Sequence, residues 1–377
     1  MNILFLCAAA ILIYTFIGYP ILLFILSLFF KKTVRKKDET PSVSLIISAY
    51  NEENVIKQKI ENSLELDYPG EKIEIIVASE STDGTDKIVA GYKSQGVILF
   101  SHEGRVGKSA TLYEAIPRTK GEIIIFSDAN AMYKKDAIRK IVRNFSDPRI
   151  GCVSGRLTYV NSGRSNIGEG ESAYWEFDFI LKKLASRMFV LGGGVNGSIF
   201  AIRKEYYDPI DKYRGDDFEI ANRIEINGHG VVLEPEAISY EESSTQAKQE
   251  LKRKIRLASW NLKSSLILLG EALKKFRFRT AFLLFSHRFL RYTTPLWLMV
   301  ILFSNLFLLS SAYKYIFDLQ IIFYLFALIG FLFEKNRTKI PSVLLFPFYF
   351  CLVNYAALVA LFRTIFRKTQ VVWEKVR

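Results

Sequence analysis

The N-terminal segment constrains this chain most, because residues 3–30 contain no charged side chain. Their sequence, ILFLCAAAILIYTFIGYPILLFILSLFF, is long enough to cross a bilayer with some tilt. A cleaved signal peptide would begin with charged residues and have a shorter apolar core, so we expect an uncleaved anchor. The basic segment KKTVRKK follows at 31–37 and places the next part of the chain in the cytoplasm by the positive-inside rule. We therefore predict a transmembrane helix over residues 1–32.

Further apolar segments precede the C-terminus, at 293–313, 319–333 and 343–362. The first and third are long enough to span a membrane, and the second reaches that length when residues 315–318 are included. They predict about three transmembrane segments within 291–366, followed by a basic tail at 367–377. Three spans would place this tail outside the cell, whereas its positive charge favours the cytoplasm. A re-entrant segment and an exception to the charge rule are both open explanations.

The net charge of +13 suits a nucleic-acid-binding protein or a membrane protein with a basic cytoplasmic face. Lys and Arg cluster beside the apolar segments, which favours an integral, multi-pass protein of the plasma membrane without a nucleic-acid partner. The three cysteines, Cys7, Cys152 and Cys351, have no metal-like spacing, and we expect them to be reduced.

Residues 41–245 have the pattern of a cytoplasmic α/β domain. Short β-branched segments at 43–49, 73–79, 97–100 and 122–128 alternate with amphipathic stretches of helical length. This alternation predicts a Rossmann-like, mostly parallel sheet with helices on both faces, in which ligands bind beyond the carboxyl ends of the strands. Residues 246–290 are rich in Lys and Arg with an apolar side, which predicts helices in the membrane interface or an ordinary surface helix.

The segment after the third strand, SHEGRVGKSA at 101–110, resembles the end of a nucleotide-triphosphate loop. Such a loop needs a Gly where this chain has His102, so the spacing excludes it. The cations Arg105 and Lys108 nevertheless suit a nucleotide diphosphate at the mouth of the sheet.

The other strand ends carry polar side chains. Asn51 and Glu52 follow the first strand and Asp83 follows the second, and each either caps a helix or contacts a ligand. Asp128 and Asn130 follow the fourth strand and offer two oxygen ligands to Mg²⁺ or Mn²⁺, or else form a capping turn. Further on, the adjacent Asp216 and Asp217 precede a helical pattern, which is consistent with a general base or with N-capping.

Taken in order, these segments resemble the family 2 glycosyltransferases, in particular the membrane-integrated branch that includes cellulose, chitin and hyaluronan synthases. ISAYNEE, SESTDGT, GRVGKSATLYEAI, DAN, GGGVNGSIFAIRKE, GDD and RKIRLASW each match a family motif. VVWEKVR resembles the W-x-x-x-R ending of this branch. The resemblance implies a GT-A fold for the cytoplasmic domain, with α-helical transmembrane segments beside it.

The resemblance also implies the site residues. Nucleotide-sugar binding is assigned to Tyr50, Asn51, Glu52, Glu80, Asp83, Lys108 and Asp128. Catalysis is assigned to Asp217 as base, with Asp216 and Arg256. The acceptor side is assigned to Gly197, Ser198, Arg253 and Trp260. A divalent cation, Mg²⁺ or Mn²⁺, is assigned to Asp128 and Asn130.

The implied reaction is inverting transfer of a sugar from a nucleotide sugar, first of all a UDP-sugar. Its acceptor would be a growing polysaccharide or a lipid at the bilayer, and accessory export proteins are conceivable partners. A single displacement needs no enzyme nucleophile, and the sequence has no Ser–His or Cys–His arrangement that would provide one. Two alternatives are a polyprenyl-phosphate sugar transferase and a catalytically degenerate membrane protein that binds nucleotide sugars.

Overall fold

The computed structural model describes residues 1–208, 216–308 and 312–366, apart from the side chains of Arg164, Asp216 and Ala312. The basic tail at 367–377, with its VVWEKVR segment, lies outside the described residues. So does the side chain of Asp216, although its backbone begins a helix.

The N-terminal apolar segment forms one continuous helix. It consists of α1 at Asn2–Ile13 and α2 at Tyr19–Phe29, joined by a wider π-turn at Tyr14–Gly18. The π-turn directly precedes the turn that contains Pro20, whose nitrogen cannot donate a helical hydrogen bond. The helix is long and apolar enough to cross a membrane.

Residues 43–241 contain an eight-stranded sheet in the order β3-β2-β1-β4-β7-β6-β8-β5. β1, β2, β3 and β4 pair in parallel, and β6 pairs in parallel with β8, whereas β7 and β5 are antiparallel to their neighbours. The sheet is therefore mixed but mostly parallel, as predicted. Its strands are β1 Val43–Ala49, β2 Ile73–Ser79, β3 Val97–Ser101, β4 Ile123–Asp128, β5 Met132–Tyr133, β6 Ile150–Tyr159, β7 Phe200–Arg203 and β8 Gly230–Glu241.

Helices cover both faces of this sheet, because the central strands are apolar on both sides. In β1, Leu45 and Ile47 face one buried cluster, and Ile46 faces the other. The first cluster includes residues of α3, α4 and α6, and the second includes residues of α5 and α8. These helices and α7 are α3 Ile56–Leu64, α4 Thr85–Ala90, α5 Lys108–Ala115, α6 Ala137–Val142, α7 Asn166–Ser186 and α8 Asp216–Ile226.

The basic amphipathic segment forms one long helix, α9, at Ala247–Lys274. α9 lies beside α8, where the Ser264 hydroxyl is 3.3 Å from a Glu219 carboxylate oxygen. The remaining helices are α10 Phe278–Leu283, α11 Leu290–Leu306, α12 Ala312–Lys335 and α13 Ser342–Ile365. Of these, α12 and α13 are long and apolar enough to span a membrane, and α12 includes residues 315–318.

A buried polar network joins the sheet domain to α13. Arg253 of α9 forms ion pairs with Glu171 of α7 and, at 3.0 Å, with Glu250 one turn earlier in α9. The Tyr349 hydroxyl of α13 donates to Glu250 Oε1 at 3.0 Å. Both carboxylates are fully buried, so their charges depend on these partners. We call the side chains of Glu171, Glu250, Arg253 and Tyr349 the tether.

Replacing Arg253 with Met should lower the free energy of unfolding by about 3–5 kcal/mol, because buried Glu171 would lose its cation and buried Glu250 would keep only Lys254, at 3.6 Å. The measurement is the thermal unfolding midpoint in detergent. Arg156→Met is the matched control, since Arg156 pairs at 3.2 Å with Glu176 on the surface and its loss should change little. An unchanged midpoint in Arg253→Met, together with a raised acceptor KM, would instead support the acceptor-side role predicted from the sequence.

Another buried carboxylate, that of Glu225, holds the loop between α7 and β7. Glu225 Oε2 on α8 accepts hydrogen bonds from the backbone N–H of Leu191 at 2.8 Å and of Gly192 at 3.3 Å. Burial raises the pKa of Glu225 to about 7, against 4.5 for an exposed Glu. The folded protein therefore keeps this proton at pH values where the unfolded chain has lost it.

Glu225 should make the stability of the protein depend on pH. Because its pKa is raised on folding, its contribution is fully present below pH 4.5 and is lost as the pH rises to about 7. Glu225→Gln should remain neutral and keep an oxygen acceptor, so its thermal midpoint should fall less than that of the wild type between pH 5 and pH 8. The exposed Glu61→Gln is the control. Parallel pH profiles for Glu225→Gln and the wild type would contradict this assignment.

Candidate active site

The predicted site residues begin at one edge of the sheet, where parallel strands end together. Ala49 of β1 lies beside Ser79 of β2, and Ser48 lies beside Asp128 of β4. β7 runs antiparallel to β4, with Phe200 opposite Phe126, so the loop before β7 reaches the same edge. The fold thus brings the loops after three strands and before a fourth to one place.

The loops after β1 and β2 are hydrogen-bonded to each other. Asn51 has a positive φ of 54°, and its Oδ1 accepts from the Thr82 N–H at 2.8 Å. The Glu52 N–H donates to Thr85 Oγ1 at 2.9 Å. The N-cap of α3 is Val55, and its side chain makes no capping hydrogen bond, so neither Asn51 nor Glu52 is the N-cap of that helix.

Asp83 has the role expected of a helix-capping residue. Its Oδ1 accepts from the N–H of Thr85 at 3.0 Å, and Thr85 is the first residue of α4. The carboxylate also lies 3.4 Å from the N–H of Glu53 on the neighbouring loop. Asp83 therefore stabilises both the start of α4 and the contact between the two loops.

Glu80 holds the basic loop that connects β3 to α5. Its Oε2 accepts from the N–H groups of Val106 and Gly107 at 2.8 and 2.7 Å, and the residue is 4% exposed. The Arg105 guanidinium of that loop lies 4.5 Å from the centre of the Tyr50 ring. Glu80 thus holds the loop that places Arg105 beside Tyr50, and the sequence motifs alone did not indicate this role.

Lys108 and Asp128, which the sequence placed 20 residues apart, form an ion pair of 2.8 Å. Asn130 Nδ2 lies 3.5 Å from Glu241 Oε2 at the end of β8, so a second carboxylate stands near the DAN turn. The sequence did not identify Glu241, because only the pairing of β5 with β8 brings it to the DAN turn. The cluster combines one cation with oxygen donors of the kind that Mg²⁺ and Mn²⁺ prefer.

A buried lysine contacts the backbone at the end of the DAN turn. Lys59 of α3 has no exposed surface, contacts the backbone carbonyl of Ala131 and lies 3.8 Å from the centre of the Tyr133 ring. Burial lowers the pKa of Lys59 to about 7, while Asp128 and Glu241 act in the opposite direction. Lys59 was not identified from the sequence, where it is one of several lysines on an amphipathic helix.

Asp217 and the loop before β7, which the sequence analysis assigned to catalysis and to the acceptor side, come together. Asp217 Oδ1 accepts from the Phe218 N–H at 2.8 Å. Its Oδ2 lies 3.1 Å from the point that a Cβ on Gly197 would occupy, so the missing side chain leaves room beside this carboxylate. The Tyr133 hydroxyl donates to the carbonyls of Phe126 and Ser198 at 2.9 and 3.1 Å, which fixes this loop against β4.

The three predicted residues of α9 have different surroundings. Arg253 belongs to the tether, with its side chain 16% exposed. The Arg256 guanidinium lies 5.6 Å from the centre of the Trp260 ring, one turn further along the same helix. The Ser264–Glu219 contact holds this part of α9 beside the start of α8, where Asp217 lies.

The sequence matches known glycosyltransferases over its α/β region. Residues 44–210 match the family model described as "Glycosyl transferase family 2". A "Probable glycosyltransferase YdaM" of Bacillus subtilis is 27% identical over 66% of this chain and 61% of its own length. A "Beta-monoglucosyldiacylglycerol synthase" of Synechocystis is 33% identical over 37% of this chain and 30% of its own length. The chain thus spans less than two thirds of either curated relative.

The fold also matches a solved structure along nearly its whole length. A mannosyltransferase of Pyrobaculum calidifontis, solved in complex with GDP-Man and Mn²⁺, superposes with a TM-score of 0.73. The match covers 97% of this chain and 99% of the other at 19% identity, so it establishes the fold alone. The predicted GT-A fold is therefore confirmed, and the match over residues 44–210 supports the predicted glycosyltransferase.

Proposed function

We propose that the protein transfers a sugar, with inversion, from a nucleotide sugar to a lipid or polysaccharide acceptor at the cytoplasmic face of the membrane. The observation that carries this proposal is the position of Asp217, whose carboxylate borders Gly197 in a loop fixed to the end of β4. The Lys108–Asp128 pair lies at the carboxyl end of the same strand. A base and a diphosphate site at one strand end are what a single displacement requires.

The donor side suits a nucleotide diphosphate. Lys108 and Arg105 supply positive charge, and Tyr50 offers an aromatic face at the mouth of the sheet. The sequence-based choice of a UDP-sugar is the first donor to test. GDP-mannose is the second, because the mannosyltransferase of similar fold was solved with GDP-Man.

In the proposed reaction, an acceptor hydroxyl attacks C1 of the donor sugar from the face opposite the diphosphate. Asp217 takes the hydroxyl proton as the new C–O bond forms and the bond from C1 to the diphosphate oxygen breaks. Lys108 neutralises the charge that develops on the departing diphosphate. The configuration at C1 inverts, because only one displacement occurs.

The residues near Asp128 fit a divalent cation that shares its coordination with the donor. Mg²⁺ is commonly held by one or two carboxylates together with substrate phosphates. Asp128 and Asn130 would hold it, with the Glu241 carboxylate close by. When bound, the cation would stabilise negative charge on the diphosphate. Among the described residues no three His, Cys, Asp or Glu side chains form a metal site, so the donor must complete the coordination.

The acceptor is proposed to reach the site from the membrane. Three helices of suitable length and apolarity support membrane association, and α13 joins the sheet domain through the tether. The diacylglycerol named in the Synechocystis relative supports a lipid acceptor.

A transfer screen of labelled UDP- and GDP-sugars with membrane lipids, followed by product sizing, tests the proposal. Nucleotide binding without transfer from any donor would refute it in favour of a binding protein, and products on prenyl phosphates would favour that alternative class.

Asp217→Asn should lower kcat about 100-fold or more, because loss of a general base costs roughly that much, while nucleotide diphosphate still binds. Gly197→Ala should also lower kcat, since its methyl group would lie 3.1 Å from Asp217 Oδ2. Gly70→Ala is the matched control, because no atom lies within 4 Å of a Cβ there. Steady-state transfer rates measure the loss of turnover, and nucleotide titrations measure whether nucleotide binding is kept. Wild-type turnover in Asp217→Asn would rule out the assigned base.

Chelation of divalent cations should abolish most transfer, and Mn²⁺ or Mg²⁺ should restore it. Isothermal titration should show that Mn²⁺ tightens nucleotide diphosphate binding to the wild type but not to Asp128→Asn. Asn130→Asp adds a second carboxylate to the turn and should keep or increase the Mn²⁺ effect. Asp67→Asn, far from the turn in sequence and on the surface, is the control. Full activity in EDTA would show that Lys108 neutralises the diphosphate without a metal.

A further inference from the structure

A large groove lies outside the proposed active site, between the sheet domain and the α12–α13 hairpin. Its volume is about 1080 Å³, and the N-terminal ends of α7 and α9 form its domain side. The tether residues Glu171 and Glu250 lie two residues after groove residues Glu169 and Lys248 on these two helices, and neither lines the groove. The apolar wall comes from two helices of membrane-spanning character, and consists of Ala327, Leu328, Phe331, Phe348, Leu352 and Tyr355.

One end of this groove is positively charged. Lys248, Lys335 and Arg337 line it and are exposed. In the described parts of the chain, none of these three has a carboxylate partner within ion-pair distance. Of the two acidic groups in the lining, Glu169 lies 3.9 Å from Lys339, and Glu334 accepts from Asn166 Nδ2 at 2.9 Å. The balance of charge at this end therefore favours an anion.

Backbone geometry adds to this positive end. Arg337 has a φ of 56°, at the end of α12 where glycine is usually found, and its N–H donates to the Glu334 carbonyl at 3.0 Å. Arg337 thus has a backbone conformation that is unfavourable for a non-glycine residue. The N-cap of α9, Gln246, and the first helical residue, Ala247, line the groove, so the positive end of that helix dipole lies at the groove.

The groove has a charged end and an apolar end. The loop between α12 and α13 contacts the sheet domain, where the Ile340 N–H donates to Asn166 Oδ1 at 2.9 Å. The charged end lies at this loop, and the apolar wall continues along both helices away from it. An occupant would therefore place its charged group at the domain side and its apolar part along α12 and α13.

We propose that this groove binds an anionic phospholipid from the leaflet that faces the sheet domain. Its phosphate lies among Lys248, Lys335 and Arg337, and its acyl chains lie along the apolar wall. The bound lipid then bridges α9 to the α12–α13 hairpin beside the tether and stabilises the junction. The proposal depends on membrane association and is independent of the transfer reaction.

The test uses the full-length protein in an uncharged detergent. Short-chain phosphatidylglycerol should raise the thermal midpoint by about 4 °C or more near saturation, and phosphatidylcholine of equal chain length should raise it much less. The triple variant Lys248→Gln/Lys335→Gln/Arg337→Gln should lose this difference. The matched control Lys87→Gln/Lys93→Gln/Lys120→Gln removes the same charge from exposed positions of the sheet domain and should keep it.

A second readout covers the case in which the triple variant folds poorly. Cys351 lines the groove, so in a Cys7→Ser background phosphatidylglycerol should slow its maleimide labelling several-fold, whereas phosphatidylcholine should not. Equal effects of the two lipids, or an effect of inorganic phosphate equal to that of phosphatidylglycerol, would overturn the proposal. So would loss of the midpoint shift in the control variant, or its retention in a folded triple variant.

Discussion

The parallel pairing of β1 with β2 and β4 is the constraint on which the rest of this structure depends. Because these strands share a direction, their carboxyl ends form one edge, and the loops that follow them must meet there. The apolar side chains on both faces of β1 fix this arrangement, since helices must cover each face. The interactions among Asn51, Thr82, Lys108 and Asp128 are consequences of this edge.

The antiparallel strand β7 adds the second half of the site. It enters beside β4 and brings Gly197 and Ser198 to the edge where Asp128 lies. α8 then places Asp217 against Gly197, and α9 runs alongside α8. In the proposed reaction the donor therefore occupies the parallel half of the edge, and the acceptor approaches at the junction with β7.

Charged groups inside the protein connect the sheet domain to its apolar helices. In the tether, Arg253 forms ion pairs with both buried carboxylates, and the Tyr349 hydroxyl donates to Glu250. Such an arrangement is sensitive to the loss of one partner, because a lone buried charge is costly. The domain and α13 are thereby held in a fixed relation, and the proposed lipid groove lies beside this connection.

The sequence by itself determined the strands β1 to β4, the helical character of the apolar ends, and the resemblance to glycosyltransferases, because hydrophobic periodicity and motif order are local properties. It predicted Asp128, Lys108 and Asp217 as residues of the proposed site and left open whether Asn51, Glu52 and Asp83 cap helices. Only the tertiary structure showed that Glu80 holds a loop, that Arg253 is part of a buried network, and that Glu241 and Lys59 border the DAN turn. Those roles depend on contacts between residues that are far apart in the chain. Strand pairing and helix packing decide which of these residues come into contact, and no local sequence pattern encodes them.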